Sequence, residues 1–572
     1  MHFIPRIIIP WQGAQRCAPT ILLSLFLLAL PARAATYYVD FSGGNDSNNG
    51  TSLSAPWKTI AKVNSSTFQP GDSILFKSGE MWREQLNVPS SGAVGQPIIF
   101  GAYGSGAQPV ITGSSVTTGW TTESQGAFKA YYVTQGVQSY VVTSDGTHLL
   151  RNSISKSTLA PGQFFWQSSG TRLYVRLPTD DAPSSHTLET GTRDYAGQIS
   201  GQTNIVIQDL QLQGANSAVL YASGNANYLT LLNNTIQFGG DSIWKSCIIL
   251  RGVSNAVISN NVVRYCYNNI IVSGYGPAAN ANNVIQANTV SYSMSFGIAV
   301  TDGCCGGSGP QGTIIQNNKV DHAGVSGIYL EFAGGASAAS GTSILSNAVS
   351  YSGGGGISLY SANTGDGLGP TNTDVESNDV SFSGQTLDDR SGLSQYGAGT
   401  GTVFAYNVVH NGGTASTRSS GIMVDLGTPS VQVNYNIVYL NTNGCIAVGS
   451  NSATIYNTTC YHNNENGYDI GELNTFGSAS DVLFKNNIAV ASAGKHLVRT
   501  LTGNTFDHNV FYGGSAAPFE WGSANYSFVA WKTNSRQDAN SINADPLITN
   551  PPTDMTLQSG SPALGAGAKP WL

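Results

Sequence analysis

SILSNAV at 343–349, DVESNDV at 374–380 and VFAYNVV at 403–409 are three statements of one phrase: a short β-rich run, an Asn, and a second short run. Outward from there the phrase recurs as LTLLNNTI (Asn234), AVISNNVV (Asn261), VIQANTV (Asn288) and TIIQNNKV (Asn318). On the other side it recurs as VNYNIV (Asn436), TIYNTTC (Asn457), LFKNNIA (Asn487) and TFDHNVF (Asn509). Asn234 and Asn509 are 275 residues apart over ten intervals, with spacings from 21 to 31. A period of this size marks a repeat architecture, and the composition of each copy is that of strands, not helices. One such unit is too small to bury a face alone, whereas stacked units bury a continuous interior. Coils stacked at about 4.8 Å would bring the asparagines into a ladder, each amide both donating and accepting along the axis. The expected fold is all-β, a single solenoid of parallel strands.

The composition agrees. The 572 residues include 68 Gly and 48 Asn, but only 10% are charged, against roughly 25% in an average soluble domain. Polarity without charge argues against long helices, coiled coils and charge-driven disorder. Lys and Arg total 25 against 32 Asp and Glu, and nowhere do they cluster as a phosphate backbone requires. Nucleic acid is excluded as a partner on that ground.

The apolar run TILLSLFLLAL (20–30), followed by the small-x-small pattern Ala32-Arg33-Ala34, reads as an export signal over 1–34. The run is shorter than the ~20 residues of a membrane span, so a secreted product (extracellular or periplasmic) with no stable membrane insertion is expected. An oxidising compartment permits disulfides. Cys247/Cys266 and Cys445/Cys460 are the economical local pairs, with Cys304 and Cys305 unassigned among 15 connectivities. No His cluster accompanies these cysteines, so zinc is not expected. The parts expected are 35–113 (first coils and cap), 114–200 (an antiparallel β insert around PGQFFWQSSGTRLYVRLPTDDAP) and 201–572 (the repeats and a closing cap).

The opening of the exported chain, Tyr37-Tyr38-Val39-Asp40, GGNDSNNGT, Pro56-Trp57-Lys58-Thr59-Ile60 and PGDSILFKSGEMWREQL, resembles the start of secreted right-handed parallel β-helix proteins of the pectin-lyase-like superfamily. The closing NADPLITNPPTDMTLQSGSPALGAGA resembles their last turn. The resemblance implies a right-handed parallel β-helix. It leaves the chemistry open, because the superfamily holds hydrolases, lyases, epimerases and adhesins. It also implies that the insert is an accessory lobe, whose Trp166, Tyr174, Arg172 and Arg176 would meet substrate at one end of a groove.

A second strand closes each unit: CIILR (247–251), NIIVS (269–273), GIAVT (297–301), GIYLE (327–331), GISLY (356–360), GLSQY (392–396), GIMVD (421–425), CIAVG (445–449) and, more loosely, YDIGE (468–472). By the period of two, the second and fourth residues face inward and the third and fifth outward. Tyr329, Glu331, Tyr360, Tyr396 and Asp425 then fall on successive coils, with Asp302 beside them and Asp388-Asp389-Arg390 entering nearby. The long stretches Cys304–Gln311, Gly334–Gly341, Asn363–Pro370 and Ser383–Arg390 are the expected walls of a cleft.

Two carboxyls are what glycoside hydrolysis needs, at about 5–5.5 Å (retaining) or 6.5–9.5 Å (inverting). Glu331 and Asp425 are three coils apart, about 14 Å, so Asp388 or Asp389 is the pivot, with Arg390 holding whichever stays ionised. Expected catalytic residues are Glu331, Asp388, Asp389 and Asp425. Expected substrate contacts are Tyr329, Tyr360 and Tyr396 as sugar platforms, with Arg390, Asp302, His410 and Trp166. His322 belongs to a mostly aromatic row (Tyr265, Tyr292, Tyr351, Phe382) that suggests stacking. Three functions remain open on a monomer acting on polysaccharide: a hydrolase without cofactor, a lyase or uronan epimerase assisted by Ca²⁺, and a non-enzymatic carbohydrate-binding protein.

Overall fold

The computed structural model describes residues 34–240, 245–274, 280–302, 308–332, 337, 339–361, 369–397, 399–426, 430–465 and 469–567. The expected signal (except Ala34), Cys304, Cys305 and much of the first three expected cleft loops lie outside the described residues. Three sheets of fifteen strands each run the length of the chain, and successive strands within a sheet come from successive coils. One coil reads Val284–Gln286 in the first sheet, Thr289–Ser293 in the second and Phe296–Thr301 in the third. Pairing between coils is parallel throughout, apart from a closing hairpin in the third sheet. The chain is a right-handed parallel β-helix, the hand that parallel crossover connections take.

The asparagine row is the corner between the first and second sheets. Asn347 Nδ2 donates to Asn378 Oδ1 at 3.0 Å and to the Ile315 carbonyl at 2.9 Å, and its backbone N–H reaches the same Asn378 oxygen. The same links join Asn234, Asn261, Asn288, Asn318, Asn347, Asn378, Asn407 and Asn436. The residue before each asparagine is left-handed even where it is Ala287 (φ 54°) or Tyr406 (φ 57°), so the corner turns in one residue. At the next coil the expectation is off by one. Asn457 takes the left-handed place, and buried Thr458 occupies the row, its N–H donating to Asn487 Oδ1 at 3.1 Å. Asn509 ends the ladder on buried Asp538.

The next corner carries the aromatic row. Phe238, Tyr265, Tyr292, His322, Tyr351 and Phe382 stack at 4.6–5.6 Å between centroids, and His322 is one of its rings. Ile, Val and Leu dominate the interior of the middle coils, and most of the buried Phe and Trp lie toward the two ends. A helix at Phe528–Ser535 plugs the C-terminal end, its buried Trp531 packed on Phe506 and Phe519. Both expected disulfides form, Cys247–Cys266 and Cys445–Cys460, each tying one coil to the next.

Between Ser114–Val116 and Tyr195–Ser200 the chain leaves the coil and builds a four-stranded and a five-stranded sheet, mostly antiparallel, around Val142, Leu150, Phe164, Leu173, Val175, Leu177 and Leu188. Tyr195–Ser200 already lies back in the third sheet.

Candidate active site

The outward face of the third sheet carries the candidate chemistry. Thr301, Glu331, Tyr360, Tyr396 and Asp425 stand in one register line across five neighbouring strands. A parallel line holds Ala299, Tyr329, Ser358, Ser394, Met423, Ala447 and Asn474. A cleft of about 660 Å³ opens over these strands, lined among others by Tyr329, Tyr360, Asp389, Arg390, Tyr396, Arg418, Asp425 and Phe476.

The consecutive aspartates diverge. Asp389 is left-handed (φ 57°) and lines the cleft, whereas Asp388 is clamped by Arg418. The guanidinium reaches Asp388 Oδ2 at 2.8 Å through Nη2, and the Arg418 backbone N–H reaches Oδ1 at 2.6 Å. Those bonds hold the Asp388 carboxyl down at about 2. Arg418, not Arg390, is therefore the cation that keeps an aspartate ionised, and Asp388 ties a wall instead of facing the cleft. Arg390 lines the cleft and is exposed.

Asp425 is the opposite case. Partial burial pushes its carboxyl up, the charge of Asp389 pushes it further, and the Leu426 N–H at 2.7 Å opposes both. At the N-terminal side a second pair forms. Glu331 is pushed up by burial and then by the charge of Asp302, while the Tyr329 hydroxyl donates to it at 3.5 Å. Asp302 is fully buried, and its backbone N–H meets the Glu331 carbonyl at 3.4 Å. Neither Glu331 nor Asp302 is among the residues lining the cleft.

The aromatic side chains of this face stack on one another along the sheet. Phe296 stacks on Tyr329 at 4.2 Å and Tyr360 on Tyr396 at 5.4 Å, while Tyr396 stays 37% exposed. His410 lies on the second sheet, away from the cleft, stacked on Tyr439 at 4.8 Å with Nε2 3.1 Å from Asp379. Burial would depress its imidazolium, but the bonds to Asp379 and Asn411 outweigh it and raise it.

Trp166 packs against the core of the insert. Tyr174 is buried with its hydroxyl on Glu123 at 3.0 Å, Arg172 covers the Tyr132 ring and Arg176 the Phe128 ring. The strand that ends the insert is five strand steps from Ser326–Phe332 in the third sheet, about 24 Å. The insert does not line this cleft.

The sequence reading missed Arg418 and Phe476. YDIGE misplaced the last strand: the structure puts it at Leu473–Thr475, which carries Phe476 to the cleft. Among the described residues, Cys445, Cys460 and Glu472 bring potential metal-ligand atoms within 4.8 Å of one another, but the two sulfurs are bonded together and offer no thiolate. Glu472 is fully buried, and burial pushes its carboxyl up to about 8 against two hydrogen bonds from Asn463.

No family model matches the chain. An alignment of 130 positions, which covers 18% of this chain and 8% of the relative, is 35% identical to part of a lacto-N-biosidase of Bifidobacterium longum subsp. longum. Among solved structures, the complex of XylC with xylose is similar over 89% of this chain and 86% of its own, at 13% identity and a TM-score of 0.49. A lacto-N-biosidase from Eubacterium ramulus is similar over 86% of this chain and 68% of its own, at 14% identity and a TM-score of 0.43.

Proposed function

We propose that the protein is an exported carbohydrate-active enzyme, a glycoside hydrolase in which Asp425 is the general acid and Asp389 its charged partner. The observation that carries this reading is the Asp389/Asp425 pair in one cleft, where burial and a like charge both favour the protonated Asp425. The local likeness to a lacto-N-biosidase supports the substrate class, and the two disulfides support export. Asp425 donates its proton to the glycosidic oxygen as the bond to the anomeric carbon breaks. Asp389 stabilises the positive charge that develops there. Water supplies the hydroxyl that completes the sugar, and its remaining proton restores the pair.

The test is product analysis on a panel of oligo- and polysaccharides. New reducing ends without the ultraviolet absorbance of an unsaturated uronate support hydrolysis, whereas that absorbance identifies a lyase and overturns the reading. On the best substrate, Asp425→Asn should lose about 10²–10⁴-fold in turnover. The wild-type rate should fall as pH rises through the pKa of Asp425, since only the protonated acid can donate.

A further inference from the structure

The line through Glu331, Tyr360, Tyr396 and Asp425 continues to Gly449 and Phe476, because Val424 is in register with Val448, and Val448 with Thr475. Gly449 interrupts this row of large side chains. Its φ lies outside the left-handed region, so backbone conformation does not demand glycine there. Space does. A Cβ at 449 would fall well inside contact with Asp425 Oδ1 and 2.7 Å from Cε2 and Cζ of Phe476. The carboxyl from one side and the ring from the other close over the glycine. The ring is anchored by its own backbone, the Phe476 N–H donating to the Val448 carbonyl at 2.9 Å.

We propose that Gly449 and Phe476 are positioning residues for Asp425: the glycine leaves the slot in which carboxyl and ring meet, and the ring keeps water from that side of the carboxyl. This rests on the reading of Asp425 as the acid. The other ionisable groups lining the cleft near it are Asp389, Arg390 and Tyr396 from the preceding coil and Arg418 from the start of Asp425's own coil. Of these, Asp389 also raises the Asp425 carboxyl, and the burial that acts with it is the part assigned here to the ring.

The experiment compares Phe476→Ala, Phe476→Leu and Gly449→Ala with the wild type, after thermal midpoints show each folded. Two quantities are read: the pH profile of kcat/KM, and the titration of the Asp425 carboxyl, followed by its own carboxyl-carbon NMR signal, which is identified by its absence from Asp425→Asn. In Phe476→Ala the carboxyl should titrate at lower pH, with the basic limb of the profile moving the same way. Above that limb kcat/KM should be about tenfold below wild type. Phe476→Leu, which keeps apolar bulk, should restore most of both. Gly449→Ala should lower kcat more than it raises KM. An unshifted Asp425 titration in Phe476→Ala overturns the proposed seat. Full activity in Asp425→Asn overturns the reading of Asp425 as the acid instead, so the two failures are distinct.

Discussion

Arg418 grips Asp388 with its guanidinium and its own backbone N–H, and so binds the loop before one strand to the start of the next. The clamp removes one of two adjacent aspartates from the cleft and neutralises one of its two arginines. It leaves Asp389 beside Asp425 and Arg390 exposed to the cleft.

The two aspartates should therefore separate under the same substitution. Asp388→Asn loosens a wall and should cost a few-fold in kcat/KM. Asp389→Asn removes the charged partner that the proposed mechanism gives Asp425 and should cost about 10²–10⁴-fold. Equal losses, with unchanged thermal midpoints, would show that the clamp and the cleft carboxyl are not separate devices.

Glu472 gives stability a pH dependence of defined sign. Its folded pKa, about 8, lies above the ordinary 4.5, so its contribution is complete below the unfolded value and is lost as pH rises through that window. Above the window the loss is complete and the curve levels. Denaturant midpoints should fall between these limits in the wild type, and Glu472→Gln should flatten that part of the curve.

The asparagine row predicts unequal costs for look-alike positions. Asn347→Ala strips amide partners from a buried ladder and should destabilise by about 1–3 kcal/mol. Asn457→Gly, at a left-handed turn outside the row, should change stability by no more than about 0.5 kcal/mol. Denaturant unfolding of both variants checks the contrast.

Replacing Cys445 and Cys460 together by Ser removes a cross-link between residues 15 apart in sequence. The loss should be about 3 kcal/mol, read as a lower midpoint of chemical unfolding. A midpoint unchanged from that of the oxidised wild type would mean that the packing of neighbouring coils already holds this pair of coils together.

The fold was legible because its determinants repeat locally. A strand's parity and a corner asparagine can be read from a few residues at a time, which placed Tyr360, Tyr396 and Asp425 in one line. The reading slipped where two candidates stood side by side, as with Asn457 and Thr458. It slipped again where a corner lengthened, as before Leu473, and that displaced strand concealed Phe476. The partner of Asp388 was not legible. It depends on the left-handed turn at Asp389 and on which residue of the next coil lies across from it, and neither is encoded in a spacing. Nor can a one-dimensional pattern show that neighbouring tyrosines of this face stack on each other.

The Cys445–Cys460 bond also divides the cleft by how it comes apart. A solenoid holds each coil only by its neighbours, so it frays from its ends. Peeling from the C-terminal end can run back as far as Cys460 before a covalent link stops it. Asp389, Arg390, Tyr396 and Asp425 lie behind that stop, while Ile470, Asn474 and Phe476 lie ahead of it. The cleft thus has one rim fastened to the protected trunk of the molecule and one rim belonging to the part that opens first.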